Sequence, residues 1–188
     1  MSARFALRAA TAQAHEQLDA LFSTFDLSDR QGYATFLRAQ AGAFMVVETA
    51  LDHAGVAQFV GDWQDRRRSA ALLDDLATLG APAPTLTSAS ASASELAIRF
   101  GTPAAILGSL YVLEGSRLGG ALLIKSVPAD LPRAFLSAGS SGSWRAFVAL
   151  LDERLQTPGE IEAAAAAAIA TFGVFASSAR TFLGADPQ

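Results

Sequence analysis

Helix-start signals recur along this chain, and they constrain its fold more than any other feature does. Three pairs of residues match the capping box, in which two side chains satisfy backbone N–H groups at a helix start: Ser28 with Gln31, Ser92 with Glu95, and Thr157 with Glu160. Thr102 and Thr157 each precede a proline, which suits the first helical position because no N–H donor is lost there. Runs that favour strands are scarce. An all-α fold is therefore predicted.

The apolar residues between these starts recur at helical spacing, as Leu7, Ala14 and Leu18 do in the first segment. The predicted helices span residues 3–23, 29–55, 62–79, 93–100, 103–126, 143–156 and 158–183. Gly80 and Gly184 follow apolar segments and are interpreted as C-terminal stops. A length of 188 residues suits one core, so residues 1–188 are predicted to form a single domain.

Composition excludes several classes of function. The net charge of -4 argues against a nucleic-acid surface, and the one basic run, Arg66–Arg68, is interpreted as a solvated helix face. The absence of cysteine excludes disulfides, iron–sulfur clusters and thiolate ligation of zinc or haem. The N-terminus lacks a signal-peptide pattern, and the apolar stretch Ala163–Ala170 is too short to span a membrane. A soluble, cytoplasmic protein with no membrane partner is expected.

Imidazole chemistry in this chain depends on His15 and His53, since the sequence contains two histidines. Asp19 lies one helical turn after His15, where its carboxylate can hold one ring nitrogen and orient the other towards a metal. A His–Asp pair is also an ordinary feature of an amphipathic helix, and spacing alone favours that simpler interpretation. His53 lies near a predicted helix end, where an imidazolium meets the helix dipole favourably.

Gly115, Gly119 and Gly120 stand inside a long apolar helical segment, where each costs about 1 kcal/mol relative to alanine. Gly115 and Gly119 are one turn apart, so they expose a strip of backbone on one face of the helix. Two interpretations remain open at this point. The strip either packs closely against another helix, or it lies against a flat ligand beside a helix that can bend there.

Two segments together resemble a known family. The segment LRAATAQAHEQLD, residues 7–19, resembles the proximal helix of haem oxygenases, and YVLEGSRLGGALLIK, residues 111–125, is similar to the glycine-rich distal helix of the bacterial members. The stretch from Trp144 to Phe175 is similar to the C-terminal helices of that family. The resemblance covers most of the chain and implies a helical bundle with haem between a proximal helix and a bent distal helix.

The resemblance implies a role for individual residues. His15 corresponds to the axial iron ligand, and Asp19 to the carboxylate position behind it. The other positions that match haem contacts are Arg8 and Tyr111 at the propionates, Gly115, Ser116, Gly119 and Gly120 on the distal wall, and Phe172 on the haem plane. Gly115, Ser116 and Gly119 are the positions expected to act in catalysis. Ser116 replaces the distal aspartate of mammalian members, Ala12 replaces a lysine, and the role of Arg117 is not assigned.

As an expectation from the same resemblance, haem is both cofactor and substrate, and it is cleaved to biliverdin, carbon monoxide and iron. Electrons are expected from a ferredoxin or flavin reductase, and a bacteriophytochrome is a candidate bilin acceptor. A non-catalytic haem-binding or haem-trafficking protein on the same fold is the main alternative. A thiaminase would need a cysteine, a cofactor-ring oxidase more histidines, and a di-iron bundle Glu-x-x-His pairs. A purely structural helical module is the remaining alternative.

Overall fold

The computed structural model describes residues 2–85, 96, 99–137 and 141–184, without the side chains of residues 141–143. These residues form helices joined by loops, with no strand among them. The helices are α1 (Ala3–Phe22), α2 (Arg30–His53), α3 (Trp63–Arg66), α4 (Ser69–Leu79), α5 (Pro103–Leu123), α6 (Ala134–Ser137), α7 (Ser141–Arg154) and α8 (Pro158–Leu183). Short 3-10 turns occupy Val56–Gln58 and Ile124–Ser126. The predicted all-α class is confirmed.

Helix α8 lies at the centre of the bundle and packs against α1, α2 and α5. Its buried side chains are mostly alanines, which allow neighbouring helices to approach closely. The approach is closest at Gly108, where a Cβ atom would lie 1.9 Å from the Ala164 carbonyl oxygen. By length and a mean hydropathy of 1.5, α8 resembles a membrane span. Of its most apolar window, 39% is buried, and the buried face packs into the core against the other helices.

Most predicted helix starts agree with the structure, and one is wrong. The Thr157 side chain accepts a hydrogen bond from the Glu160 N–H in a complete capping box, and Thr102 caps α5. The proposed start at Ser28 is wrong, because the cap of α2 is the Asp29 carboxylate and the Ser28 hydroxyl donates to Asp26 instead. A carboxylate is the stronger cap because it also interacts favourably with the helix dipole. The predicted helix 93–100 lies largely outside the described residues.

The predicted helix 62–79 is divided into α3 and α4 by an extended residue, Arg67, at ψ 143°. The buried Glu48 of α2 explains the break. Its carboxylate accepts hydrogen bonds from the Arg68 N–H at 2.7 Å and from the Ser69 hydroxyl at 2.5 Å. Glu48 therefore caps α4 from a distant helix, and a continuous helix would place these donors out of its reach.

Candidate functional site

A slot lies between α1 and α5. Both helices pack against α8, whereas they make few direct contacts with each other. The face of α5 that meets α8 at Gly108 continues through Gly115 to Gly119, where a Cβ atom would find no atom within 4 Å. The glycine strip is therefore open at Gly119, and the close packing between α5 and α8 occurs at Gly108, a residue that the sequence analysis did not single out.

The floor of the slot is an apolar cluster separate from the main core. Val112 of α5 packs there with Ala168 and Phe172 of α8, and Ala14 and Leu18 of α1 border them. The three helices thus share one small apolar contact at the base of the slot. Of the predicted site residues, Phe172 lies in this cluster and Tyr111 beside it.

Large apolar side chains remain exposed on α5, which bounds the slot, and on α8, which contributes to its floor. Leu118 and Leu122 of α5 are 47% and 66% exposed, and Ile169 of α8 is 46% exposed. Leu118 and Leu122 are one turn apart on the side of α5 that carries Gly115 and Gly119. Ile169 lies one turn before Phe172. Clustered exposure of this kind is typical of a surface that an apolar ligand or partner covers.

His15 packs on Phe172 in the floor of this slot, and the Asp19 carboxylate contacts one nitrogen of its ring. Its Nδ1 atom lies 3.0 Å from the Asp19 carboxylate, and its ring packs edge-on against Phe172 at a centroid distance of 5.7 Å. The His15 side chain is nevertheless 61% exposed. With Nδ1 held by Asp19, Nε2 is the ring nitrogen available to a metal. The structure thus brings His15, Asp19 and Phe172 together, as the resemblance implies.

The described residues contain no group of three or more histidine, cysteine, aspartate or glutamate side chains arranged to hold a metal. An iron atom at His15 would therefore need most of its ligands from outside the protein. A porphyrin meets that need with four ring nitrogens, and its apolar ring suits the exposed leucines and the bare Gly119 backbone. The residues present consequently fit an iron porphyrin better than a free ion.

Tyr111 and two arginines share one edge of the slot. Burial raises the pKa of the Tyr111 hydroxyl, while a hydrogen bond with Thr11 and the charges of Arg4 and Arg8 partly offset that rise in pKa. Tyr111 also lies 6.0 Å from the Trp144 ring, between centroids. Arg8 is thus near enough to Tyr111 for its charge to act on the hydroxyl. Arg4 was missed in the sequence, although its position one turn before Arg8 on the His15 face was a usable signal.

Ser116 and Gly120 lie on a different side of α5, towards the interior. The Ser116 hydroxyl accepts a hydrogen bond from Arg68 Nη1 at 2.9 Å and donates one to the Leu113 carbonyl at 2.7 Å. A Cβ atom on Gly120 would lie 3.5 Å from the Leu136 carbonyl oxygen and 3.8 Å from Arg68 Nη2. The structure therefore does not bring these two residues together with Gly119 at the open face.

The interpretation of Arg66–Arg68 as a solvated face is wrong. Arg68 is 2% exposed, donates to the Phe135 carbonyl at 2.8 Å and lies over the Phe135 ring. Burial, together with the charge of Arg117, lowers the pKa of Arg68 to about 9, so it remains protonated at neutral pH. The basic run faces the interior because buried carboxylates lie there, and a buried charge without an opposite charge is costly.

Arg117 also takes part in this interior charge network. Its guanidinium lies 3.3 Å from the buried Glu114 carboxylate, which Arg66 contacts at 3.2 Å from another direction. Arg117 further donates to the Arg66 backbone carbonyl. Arg117, to which the sequence analysis assigned no role, thus joins α5 to α3. It does so on the side of α5 away from the open glycine face.

Comparisons with known proteins agree with this geometry. The family model described as Heme oxygenase matches residues 1–181. The chain is 34% identical over 154 residues to a heme oxygenase of Xanthomonas campestris, covering 78% of this chain and 88% of that protein. It is 30% identical over 151 residues to heme oxygenase PigA of Pseudomonas aeruginosa, covering 76% and 73%.

Solved structures give the same result for the fold. The heme oxygenase of Neisseria meningitidis, solved with NO and CO bound, superposes with a TM-score of 0.78 at 22% identity, covering 100% of this chain and 95% of that one. The heme oxygenase of Leptospira interrogans superposes with a TM-score of 0.75 at 19% identity, covering 96% and 100%.

Proposed function

Since this chain belongs to the haem oxygenase family and is a haem-degrading oxidoreductase, we propose that it cleaves haem to biliverdin with release of carbon monoxide and iron. One set of contacts carries the proposal: exposed His15 packs against Phe172, and Phe172 packs with Val112 of α5, the helix whose glycine face is open at Gly119. A purely structural role for either element does not require this juxtaposition. Haem is both the cofactor and the substrate in this proposal.

His15 Nε2 would hold the haem iron, and Asp19 holds the ring through Nδ1. The Asp19 carboxylate fixes the orientation of the ring and raises the basicity of the imidazole. Phe172 supports the imidazole edge-on. When bound, haem supplies an iron centre that activates oxygen next to the porphyrin carbons that are cut.

On the other side of the slot, Gly115 and Gly119 are proposed to form the distal wall. Gly119 offers backbone with free space in front of it, which would leave room for a small ligand beside bound haem. Leu118 and Leu122 supply apolar surface that excludes water from that space. None of these four residues offers an acidic side chain, and a strong proton donor there would favour a peroxidase-like reaction over ring opening.

Ser116 and Gly120 are assigned roles that differ from a direct haem contact. Because the Ser116 hydroxyl donates to Leu113 and accepts from Arg68, it is proposed to hold α5 in position from behind. Gly120 leaves space for Leu136 and Arg68 on the same side. Both residues are thus positioning residues for the distal helix.

The reaction requires electrons that the chain itself does not carry, so a ferredoxin or a flavin reductase is the proposed donor. Members of the family generally need such a partner. A bacteriophytochrome is the proposed acceptor of the bilin, and a cytoplasmic location without membrane or nucleic-acid partners is proposed for the protein.

Turnover of the haem complex tests the proposal. The protein is mixed with one equivalent of haem, and a ferredoxin–reductase pair with NADPH is added in air with catalase present, so that free peroxide cannot degrade the haem. We expect loss of the haem Soret band, extractable biliverdin, and iron that a ferrous chelator traps. Haem that stays intact would show a binding or trafficking protein instead, and bleaching without a bilin would contradict the proposed reaction.

A further inference from the structure

The first turn of α1 is fastened to α7. Asp152 accepts a hydrogen bond from the Ala3 N–H at 2.7 Å and another from the Ser2 hydroxyl at 2.9 Å. The Ser2 side chain does not cap α1, so the N–H groups at the helix start need another acceptor. The Asp152 carboxylate supplies it for Ala3. The backbone at the next residue, Arg4, is consequently fixed relative to α7.

The Arg4 side chain extends over aromatic rings at the edge of the slot. Its guanidinium carbon lies 5.8 Å from the Trp144 ring centroid and 5.7 Å from that of Phe5. The Trp144 ring comes within 4.0 Å of the Cβ position of Gly115. Trp144 therefore connects Arg4 to the glycine face of α5, and cation–π contact orients the guanidinium at that edge.

Arg4 and Arg8 both carry positive charge at this edge. Neither of them forms an ion pair with another described residue, whereas the arginines of the interior network do. They lie one turn apart, about 6 Å along α1. Both charges also act on Tyr111, which places them near its hydroxyl. A ligand in this slot would thus meet two cations and a phenol at one edge.

Building on the proposed function, we propose that Arg4 binds the second of the two haem carboxylates, beside Arg8 and Tyr111, and so helps to set the rotation of haem in the slot. A porphyrin with two propionates on one edge complements two arginines one turn apart. Packing on Trp144 leaves the N–H edge of the guanidinium free for a bidentate carboxylate contact. Arg4 is therefore a specificity-determining residue, because the rotation decides which carbon of the ring faces the distal wall.

Binding to the apoprotein tests this role without relying on turnover. Haem and haem dimethyl ester, in which both propionates are esterified, are titrated into the wild type and into Arg4→Met, which keeps an apolar side chain over Trp144. We expect the substitution to weaken haem binding about tenfold, the change expected from one charge-assisted contact. Binding of the ester should be the same in both proteins. The matched control is Arg154→Met, which removes an exposed arginine that pairs with Glu153.

A second readout is the ratio of biliverdin isomers, which Arg4→Met should alter and Arg154→Met should not. Equal losses of affinity for haem and for the ester would show that Arg4 serves only to pack against Trp144. Unchanged affinity for haem together with an unchanged isomer ratio would also overturn the proposal. Failure of the proposed function is distinguishable from both results, because the wild type would then yield no biliverdin at all.

Discussion

At the scale of single residues, the chemistry of the slot depends on how side chains are already engaged. His15 is exposed, yet Asp19 and Phe172 hold its ring on two sides. Ser116 has the opposite character, since both its donor and its acceptor functions are used inside the protein. An exposed, oriented imidazole is suited to binding a ligand, and a satisfied internal hydroxyl is suited to holding structure.

Replacing His15 with alanine should remove the axial ligand of bound haem. The Soret and ligand-field bands of the ferric complex should then change, and added imidazole should partly restore them by occupying the vacated volume. Optical and resonance Raman spectra measure the effect. His53→Ala is the control, because His53 lies in the last turn of α2 and should leave the spectrum unchanged. Loss of the axial bond in the His53 variant instead would contradict the assignment.

Ser116→Ala should destabilise the apoprotein. The substitution leaves Arg68 Nη1 without its 2.9 Å acceptor in a buried position, at a cost of about 1–3 kcal/mol. Urea denaturation of the apoprotein measures the loss, with the exposed Ser177→Ala as the control. If Ser116 serves only the distal face, the free energy of unfolding should be unchanged and haem turnover alone should fall, which would refute the positioning role.

At the scale of the element, α5 uses one face for two purposes. Gly108 allows the backbone of α5 to touch α8, and Gly119 leaves the same face open farther along the helix. The opposite side of α5 is held by buried charges, through Glu114 to Arg66 and Arg117. A helix that ion pairs fix on one side and whose backbone is exposed on the other can present that backbone to a ligand without losing its position.

Gly119→Leu and Gly108→Ala should therefore affect different properties, the first the binding of oxygen and the second the stability of the apoprotein. A leucine at Gly119 enters open space and suits a helix better than glycine, so the apoprotein should keep its melting temperature while oxygen binding and turnover fail. An alanine at Gly108 would place Cβ on the Ala164 carbonyl and should destabilise the apoprotein by about 1–3 kcal/mol or more. Thermal melts of both apoproteins, with oxygen-complex lifetimes for Gly119→Leu, measure the difference. A strongly destabilised Gly119→Leu apoprotein would show that the strip packs rather than binds.

At the scale of the whole molecule, the slot is assembled from helices far apart in the chain. Residues of α1, α5 and α8 form its floor, and Trp144 of α7 joins its edge to α1 through Arg4. The haem carboxylates are therefore expected to be seated by residues from more than one helix. The way in which haem is rotated is accordingly a property of the assembled bundle.

Arg8→Ala combined with Tyr111→Phe should change the ratio of biliverdin isomers and weaken haem binding, because both residues border the edge where the carboxylates are proposed to lie. The hydroxyl of Tyr111 is expected to remain protonated and to act as a donor, since its pKa is raised by burial. Chromatography of the extracted bilins and haem titration of the apoprotein measure the outcome. If neither the isomer ratio nor the affinity for haem changes, the two residues do not bind the haem carboxylates as proposed.

Most of the helices and several of their starts followed from local patterns in the sequence, and the candidate ligand followed from the family resemblance of the motif around His15. Capping at Thr102 and Thr157 was predictable because the donor and the acceptor lie within one turn of each other. His15 and Asp19 are one turn apart on one helix, so their pairing was equally predictable, and the sequence motifs around His15 and Gly119 identified the family.

Only the tertiary structure decided which glycines pack and which stay open, since Gly108 and Gly119 lie in the same helical pattern. The break at Arg67 likewise depends on Glu48, a residue of another helix. The basic run at Arg66–Arg68 was misinterpreted because charged side chains next to one another usually face water, whereas here buried carboxylates from α2 and α5 pair with them. Local sequence determines what a segment can form, and the partners that distant segments supply determine which side chains are buried, paired or left exposed to bind a ligand.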